Sequence, residues 1–551
     1  MHVATALLPL AFASGALAAA ISTRSSSSCH DLWEAAPKIL PSLEVYWADR
    51  YTNGNFSDPE YQSVAYPAAV PDLPDFCRFG AWIHTSNRTK VQFEVWLPDD
   101  WSGRFAMVGN GGDAGGVNFP DMGMPMAKYK FAVASTDTGH HGTSGDGTFA
   151  AGNPESQIDF GYRAVHLTTV YSKKVIEAYY GKKQDKSYWI GCSSGGKQGL
   201  KEVQAYPEDY DGVIAGAAAQ KWQRLNAQTW RINAIVNPPT SEGFLNASDY
   251  NTIGIEVLKQ CDAADGLEDG IILNPRRCKP DLSTLLCDQP GANASTCLTQ
   301  PKIDTMNTIY ANYTFLNGTY LFASFEPGSE GIGAGKTFSV TGTPYGPGPD
   351  FYNFQVLNNT NTSIPFNVTD EGEFEKLVQV ALDTDPGKTN ADEPNIEPFF
   401  KRGGKLWTYV GLADTLIPTG STLLYYEQVR EALGYPDDLG DHYRMFTIPG
   451  MGHCRGGAAA YNFGGPGQRP EILGGLGQST KFDEEHDMIL AMIDWVENGN
   501  APDVLIGSKF VGDDIRNGTA YQRKFCPYPQ EGVYTGGDPN SADSFECRYQ
   551  G

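Results

Sequence analysis

Apolar residues fall into short runs that alternate with helical patterns in two separate regions of the chain. The first region predicts a helix at residues 159–180 and strands at residues 91–97, 105–108, 131–134, 188–190 and 213–215. The second predicts helices near residues 421–433 and 487–498 and strands at residues 406–410 and 443–448. Such alternation is typical of a mostly parallel sheet with helices on both faces. The pattern therefore predicts an α/β fold.

The segment between these regions, residues 227–395, has a different character. It is rich in Asn, Thr, Gly and Pro, contains four cysteines between Cys261 and Cys297, and shows little long-range periodicity. We interpret it as a disulfide-linked lid inserted over the sheet. The predicted organisation is a first catalytic part at residues 19–226, the lid at 227–395, and a second catalytic part at 396–551.

The N-terminus has the pattern of a secretory signal peptide. Residues 4–13 are largely apolar, and Ala16 and Ala18 fit an A-x-A cleavage site. A membrane anchor is disfavoured because Pro9, Ser14 and Gly15 interrupt a stretch too short to span a bilayer. We therefore assign residues 1–18 to a signal peptide and expect a secreted, extracellular protein with no membrane partner.

The cysteines and the glycosylation motifs agree with export. The chain has ten cysteines, an even number, and the secretory route permits disulfide formation. N-x-[ST] sequons fit a secreted glycoprotein and mark exposed loops. The predicted glycosylation sites are Asn55, Asn87, Asn246, Asn293, Asn312, Asn317, Asn358, Asn361, Asn367 and Asn517.

The net charge narrows the choice of partners. At −24 it argues against nucleic acid, because binding phosphate groups needs a basic face. It says little about the fold, and the sequence sets no expectation for the oligomeric state.

The sharpest local motif surrounds Ser193. The sequence Gly191-Cys192-Ser193-Ser194-Gly195 fits G-x-S-x-G, follows a short apolar strand and precedes a helical segment. In this setting a sharp turn exposes a nucleophilic hydroxyl, and the flanking glycines permit its crowded backbone. By itself the motif is modest, since an ordinary strand-to-helix turn in a chain rich in Gly and Ser would match as well. We predict Ser193 as the nucleophile of a serine hydrolase.

A second glycine loop supplies a candidate base, His453, after the last predicted strand of the sheet. His140 and His141 in an earlier glycine-rich loop compete for this role, but only His453 fits the chain order Ser, Asp, His. Asp414, at the end of the preceding strand, is the candidate acid, with a simple helix cap as the alternative. A serine needs an imidazole to accept its proton, and the imidazole needs a carboxylate to orient it.

Two cysteines flank the proposed catalytic residues. Cys192 directly precedes Ser193, and Cys454 directly follows His453. If Ser193 and His453 are in hydrogen-bond reach, their neighbours come close enough for a disulfide. We therefore predict a Cys192–Cys454 bond that joins the two halves of the active site.

The glycine loop at residues 109–116 follows the predicted strand 105–108. It also fits the dinucleotide pattern G-x-G-x-x-A, but residues 117–123 are a poor start for the helix that this pattern requires. We expect this loop to give a backbone N–H to an oxyanion hole, from Gly111 or Gly112, with the N–H of Ser194 as the other donor.

An acidic loop lies at residues 262–271, between two cysteines. Three aspartates in a tight, Gly-bearing turn offer several hard oxygen ligands and no soft ones, which favours Ca²⁺. The spacing departs from that of an EF-hand loop. On these grounds a calcium site and a solvated acidic turn are equally supported.

Taken together, these motifs resemble those of the fungal tannase and feruloyl esterase family, over nearly the whole mature chain. The resemblance implies an α/β-hydrolase fold with a lid and a triad at Ser193, Asp414 and His453. It also implies a structural Ca²⁺ in the lid and no organic cofactor. The implied calcium ligands are the side chains of Asp262, Asp265 and Asp269 and the carbonyls of Leu267 and Ile271. The implied further disulfides are Cys29–Cys77, Cys261–Cys278, Cys287–Cys297 and Cys526–Cys547.

Within that family the chain is most similar to feruloyl esterases of type B. The expected function is therefore release of ferulic, p-coumaric or caffeic acid from plant cell-wall polysaccharide esters. A tannase acting on galloyl esters is the main alternative, because only the absence of an internal basic processing site disfavours it. A serine peptidase of the same fold and a non-catalytic secreted binding module are further alternatives.

Overall fold

The computed structural model describes residues 28–52, 54–61, 64–330, 343–435, 439–468 and 479–549. The predicted signal peptide lies outside these residues. The described α-helices are α1 (Leu32–Ile39), α2 (Phe119–Tyr129), α3 (Pro154–Ile158), α4 (Ala164–Tyr180), α5 (Ser194–Ala205), α6 (Trp222–Arg231), α7 (Ala247–Cys261), α8 (Gln300–Tyr310), α9 (Pro347–Asp350), α10 (Glu371–Thr384), α11 (Glu397–Lys401), α12 (Thr419–Leu433) and α13 (Met488–Asn498). No helix within those ranges is long and apolar enough to cross a membrane.

The described strands follow the same order along the chain. They are β1 (Leu43–Tyr51), β2 (Phe56–Ser57), β3 (Ala69–Val70), β4 (Phe76–His84), β5 (Lys90–Pro98), β6 (Arg104–Val108), β7 (Ala132–Thr136), β8 (Lys186–Cys192), β9 (Gly212–Gly216), β10 (Tyr313–Thr314), β11 (Tyr320–Phe322), β12 (Lys405–Gly411), β13 (Tyr443–Ile448), β14 (Leu505–Phe510), β15 (Thr519–Phe525), β16 (Gln530–Tyr534) and β17 (Phe545–Tyr549).

Nine of these strands form one sheet in the order β1-β4-β5-β7-β6-β8-β9-β12-β13. The run from β7 to β13 is parallel, and β1, β4 and β5 extend it with antiparallel pairs. This confirms the predicted mostly parallel sheet. The carboxyl ends of β8, β12 and β13 lie at one edge, which is where α/β folds place their sites.

Apolar side chains alternate between the two faces of this sheet. Met107 and Trp189 pack on one face, and their chain neighbours Val108 and Ile190 pack on the other. Helices α1, α4, α5 and α12 cover the first face, and α2 and α13 cover the second. Both faces are therefore buried, which explains why the central strands are continuous apolar runs rather than alternating ones.

Residues 217–404 separate β9 from β12, and we call them the insertion. Its helices build two further apolar clusters. One contains α6 and α10 together with Phe160 and Ile417 from outside the insertion, and the other contains α7 and α8. These helices were not predicted from the sequence. The exact lid boundaries, residues 227–395, stay a prediction.

All five expected disulfides are bonded in the structure: Cys29–Cys77, Cys192–Cys454, Cys261–Cys278, Cys287–Cys297 and Cys526–Cys547. The asparagines of all ten sequons are exposed. The chain therefore offers every predicted glycosylation site to solvent.

Candidate active site

Ser193 lies in a sharp turn between β8 and α5. Its backbone has φ 65° and ψ −126°. Residues other than glycine rarely adopt this conformation, which costs of order 1–3 kcal/mol. The turn is tight because Gly191 and Gly195 leave room: a Cβ on Gly191 would lie 2.5 Å from the Gly195 carbonyl oxygen. The N–H of Ser193 donates to the Gly216 carbonyl oxygen at 2.9 Å. This geometry matches the predicted nucleophile turn, and the Ser193 side chain is only half-buried.

His453 and Asp414 meet at the ends of β13 and β12. The His453 Nδ1 lies 2.8 Å from Asp414 Oδ2. The other carboxylate oxygen, Oδ1, accepts the N–H groups of Leu416 at 2.8 Å and Ile417 at 2.9 Å. Helix α12 begins only at Thr419, so Asp414 is not its cap. Both oxygens of this buried carboxylate are satisfied, and its orientation toward the imidazole is fixed.

The second ring nitrogen of His453 is placed differently. Its Nε2 is buried and has no hydrogen-bond partner among the described residues. Since Asp414 engages Nδ1, Nε2 is the ring atom left to exchange a proton. The Cys192–Cys454 disulfide, with an S–S distance of 2.02 Å and a Cα–Cα distance of 6.1 Å, joins the turn of Ser193 to the loop of His453. The structure thus brings the three predicted triad residues into one region.

The glycine loop at residues 109–116 packs against the turn of Ser193. A Cβ on Gly109 would lie 2.4 Å from the Gly195 Cα, so only glycine permits this approach. The two candidate oxyanion donors on the loop differ. The N–H of Gly111 donates to the hydroxyl oxygen of Tyr66 at 2.8 Å, whereas Gly112 has a φ of +57° and packs on Ser144. Ser194, the third candidate, is the first residue of α5 and is buried.

The competing histidine, His140, has a structural environment. Its Nε2 lies 2.7 Å from the carbonyl oxygen of Asp113, and its ring stacks on Phe149 at a centroid distance of 3.9 Å. Burial lowers the pKa of His140 to about 4, so the ring is neutral at ordinary pH. It is therefore not arranged as the partner of a nucleophile.

Sequence reasoning missed two buried ionisable residues beside the site, Asp113 and Lys197. Lys197 lies one helical turn after Ser193, with its Nζ 4.2 Å from the ring centroid of Phe160 and 4.3 Å from that of Trp222. Neither the Asp113 carboxylate oxygens nor Lys197 Nζ has a hydrogen-bond partner among the described residues. Burial raises the pKa of Asp113 and lowers that of Lys197, and the opposite charge of each partner opposes the shift. No local sequence signal marks them, since both occupy positions that usually face solvent.

The acidic loop folds back on its own backbone. Asp262 accepts the Gly270 N–H at 2.9 Å, Asp265 accepts the Leu267 N–H at 3.0 Å and Asp269 accepts the Ile271 N–H at 3.1 Å. A cavity of about 30 Å³ is lined by four of the expected ligands, and Asp262 is not among its walls.

The charges in this loop are only partly balanced. The pKa of Asp265 is raised by burial and by the nearby carboxylates of Asp269 and Asp262. The Arg523 guanidinium lies 2.6 Å from Asp269 and offsets one charge. Hard oxygen donors that repel one another around a small cavity are chemically compatible with Ca²⁺.

The sheet order, the strained serine and the His–Asp pair define an α/β hydrolase. The sequence matches the family model "Tannase and feruloyl esterase" over residues 77–548. The chain belongs to the tannase and feruloyl esterase family, and it is a carboxylic ester hydrolase.

Individual relatives agree with this assignment. A "Probable feruloyl esterase B-2" from Aspergillus terreus is 35% identical over 546 residues, covering 98% of each chain. The crystal structure of feruloyl esterase B from Aspergillus oryzae has a TM-score of 0.84 and 32% identity, covering 95% of this chain and 100% of that one. A tannin acyl hydrolase from Aspergillus niger has a TM-score of 0.70 at 22% identity, covering 96% and 97%, and shares the fold.

Proposed function

We propose that this protein releases hydroxycinnamic acids, such as ferulic, p-coumaric or caffeic acid, from esters on plant cell-wall polysaccharides. The observation that carries the proposal is the strained Ser193 joined by a disulfide to the loop of the Asp414-bound His453. The choice of acyl group rests on the relatives named feruloyl esterase B, which are about a third identical over nearly the whole chain.

The proposed reaction is acyl transfer through a covalent intermediate. Ser193 Oγ attacks the ester carbonyl carbon while His453 Nε2 takes the hydroxyl proton, and Asp414 stabilises the imidazolium that forms. The tetrahedral intermediate collapses, and His453 returns the proton to the leaving alcohol. Water then attacks the acylated Ser193 by the same path, with His453 as base, and the free acid leaves.

The oxyanion that develops in each step needs N–H donors beside Ser193. Ser194 is proposed as one donor, because its N–H starts α5 directly after the nucleophile. Of the two glycines, Gly112 is the better supported donor. The Gly111 N–H is already engaged by Tyr66, so Gly111 would have to exchange that bond for the oxyanion.

The tannase alternative predicts a different substrate order. Its support is weaker because the tannin acyl hydrolase shares only 22% identity, against 32–35% for the feruloyl esterases. A substrate panel separates the two: methyl ferulate, caffeate, p-coumarate and sinapate beside methyl gallate and tannic acid. We expect the highest kcat/KM on a hydroxycinnamate, and a preference for gallate would overturn the proposal. A peptide anilide in the same panel tests the peptidase alternative.

Secretion, glycosylation and calcium binding complete the proposal. Export is supported by the five disulfides, since such bonds persist in oxidising compartments. In the acidic loop, Asp262, Asp265 and Asp269 with the carbonyls of Leu267 and Ile271 would hold a Ca²⁺ ion. The ion would neutralise the loop and stabilise the fold away from the reacting atoms. Prolonged dialysis against chelator should then lower Tm, and added Ca²⁺ should restore it.

A further inference from the structure

A large cavity lies between the insertion and helix α12. Its volume is about 1210 Å³, which exceeds the usual range of small-molecule sites, about 300–1,000 Å³. Its walls come from α6, α8, β11 and the segment after α7, with Gly420 and Leu423 of α12 on the opposite side. None of the proposed catalytic residues Ser193, Asp414 and His453 is among its walls. The cavity is therefore a feature apart from the proposed triad.

The lining carries more positive than negative charge, in contrast with the net −24 of the chain. Two of its side chains are carboxylates, Glu326 and Glu427, and five are cationic: Lys221, Arg224, Arg276, Lys279 and Arg430. A cavity with a surplus of one sign of charge concentrates ligands of the opposite sign. An anionic ligand is therefore favoured.

Two of these cations are weakly compensated. Arg276 is 3.6 Å from the Glu326 carboxylate, beyond hydrogen-bond distance, and its side chain is half exposed. Burial raises the pKa of Glu326 to about 7, so this acid is mostly neutral in mildly acidic solution. Lys279 is exposed and has no ion pair among the described residues. By contrast, Arg430 and Arg224 have carboxylate partners at 2.7 Å and 3.2 Å.

The remaining walls suit a sugar. Tyr320 is 45% exposed at the cavity, and an open aromatic ring of this kind can pack against the C–H face of a pyranose. The amides of Asn307 and Gln428 add donors and acceptors for hydroxyl groups. The volume accommodates several sugar rings rather than one.

We propose that this cavity binds an oligosaccharide that carries carboxylate groups, such as a uronic-acid oligomer, at a site distinct from the ester-cleaving centre. Arg276 and Lys279 would engage the carboxylates, and Tyr320 would support a ring. The site needs no catalytic residue. Its existence and the identity of the ester substrate are therefore independent questions.

Calorimetric titration of the wild-type enzyme with an unesterified tetragalacturonide tests this proposal, since that ligand contains no ester to cleave. We expect saturable binding that weakens at least tenfold when NaCl rises from 50 to 500 mM. Neutral xylotetraose of equal length should bind at least tenfold more weakly. Inorganic phosphate is titrated as a third ligand. Equal binding of the neutral oligomer, or binding of phosphate without the uronide, would overturn the proposal.

Variants locate the binding site. The double variant Arg276→Gln/Lys279→Gln should weaken tetragalacturonide binding at least tenfold, and Tyr320→Ala about threefold or more. The control Lys182→Gln/Lys183→Gln removes the same charge from the surface outside this cavity and should bind as the wild type does. Activity on methyl ferulate and Tm should be unchanged in the first double variant, which shows that it folds. Undiminished binding by that variant contradicts the assignment.

The sequon residue Asn312 also lines the cavity and is exposed. A glycan at this position could occupy the same space, so the titration is repeated on enzymatically deglycosylated protein. We expect the same preference for the uronide and the same salt dependence. Loss of both on deglycosylation would mean that the glycan, not the cavity wall, makes the contact.

Discussion

Two acidic residues near Ser193 are both buried, yet their surroundings are opposite. On one side Asp414 is fully satisfied, with His453 on Oδ2 and two backbone N–H groups on Oδ1. On the other side Asp113, in the glycine loop, has no hydrogen bond to either oxygen from the described part of the chain, and Lys197 of α5 packs its Nζ against the rings of Phe160 and Trp222. The first carboxylate is held in one orientation by direct bonds. The second interacts with its partner only through the electric field of a poorly solvated interior.

The two environments suit the two carboxylates to different tasks. A carboxylate fixed by hydrogen bonds can orient an imidazole and stabilise its charge, which is a catalytic task. A buried pair without direct bonds gains less from its attraction than it loses in hydration, so it offers little net stability. Breaking the Asp414–His453 pair should therefore lower kcat. Breaking the Asp113–Lys197 pair should lower the free energy of unfolding.

The largest effect is expected from Asp414→Asn. The amide oxygen can still accept the N–H groups of Leu416 and Ile417, so the turn is kept, but the imidazolium loses its counter-charge. We expect kcat on methyl ferulate to fall by about 10³–10⁴ with little change in Tm. Asp483→Asn is the matched control, because Asp483 also binds a histidine, His486, at 2.6 Å outside the site. A drop in Tm large enough to explain the lower kcat by unfolding would contradict the role given to Asp414.

The second pair is tested by Lys197→Met, Asp113→Asn and the double variant. Each single change leaves one buried charge without its partner and should destabilise the protein by about 3–5 kcal/mol in denaturant unfolding. The double variant should lose clearly less free energy of unfolding than the two single variants lose together. Lys201→Met, one turn further along α5 and only partly buried, serves as the control. Strict additivity would show that Asp113 and Lys197 do not interact.

The disulfide that joins the loops of Ser193 and His453 is expected to contribute to the free energy of unfolding and to kcat. Cys192 and Cys454 are 262 residues apart, whereas Cys526 and Cys547 are 21 apart. In the chain-entropy model the longer loop stabilises by about 2 kcal/mol more. We expect Cys192→Ala/Cys454→Ala to unfold at lower denaturant than Cys526→Ala/Cys547→Ala, and only the former to lower kcat. Equal activity of the two variants would remove the role proposed for this bond.

A weaker change in stability is expected at a third buried acid, Glu326, whose nearest cation, Arg276, is 3.6 Å away. Burial raises its pKa from 4.5 to about 7, so the folded state holds its proton more tightly than the unfolded chain. The stability this provides is present below pH 4.5 and is lost as pH rises through about 7.

The wild type loses free energy of unfolding as Glu326 ionises, and Glu326→Gln should avoid about 1–3 kcal/mol of that loss. The variant should therefore be more stable than the wild type above pH 7. The exposed Glu484→Gln should leave the pH dependence of unfolding unchanged. Parallel stability–pH curves for Glu326→Gln and the wild type would refute the argument.

The inner strands of the central sheet were predictable because they are buried on both faces and read as unbroken apolar runs. The edge strand β1 was missed, since most of its residues are exposed or half-buried. The predicted strand 443–448 matches β13, and the other six predicted strands agree with the observed ones to within two residues at each end. Strand β4 was missed because Arg78 and Gly80 interrupt its apolar run; Arg78 is nevertheless buried, paired with Glu94. The strands β14–β17 were also missed, since they are short antiparallel pairs with many polar residues.

The candidate site also has a part that could be predicted from local sequence and a part that could not. Ser193, His453 and their flanking cysteines stand in contiguous motifs, so local sequence was enough to connect them. Asp113 and Lys197 come together only through the packing of the glycine loop against α5, and a lysine on a helix is ordinarily exposed. The basic cavity is formed by segments far apart in the chain, which no local pattern reveals.

The most direct test is to locate the acyl group on the enzyme. Rapid-quench mass spectrometry during turnover of a p-nitrophenyl hydroxycinnamate should find one acyl group on the peptide that contains Ser193. The Ser193→Ala variant should show no adduct, and its kcat should fall by at least about 10³. An adduct on another residue, or sustained ester turnover by Ser193→Ala, would contradict the account.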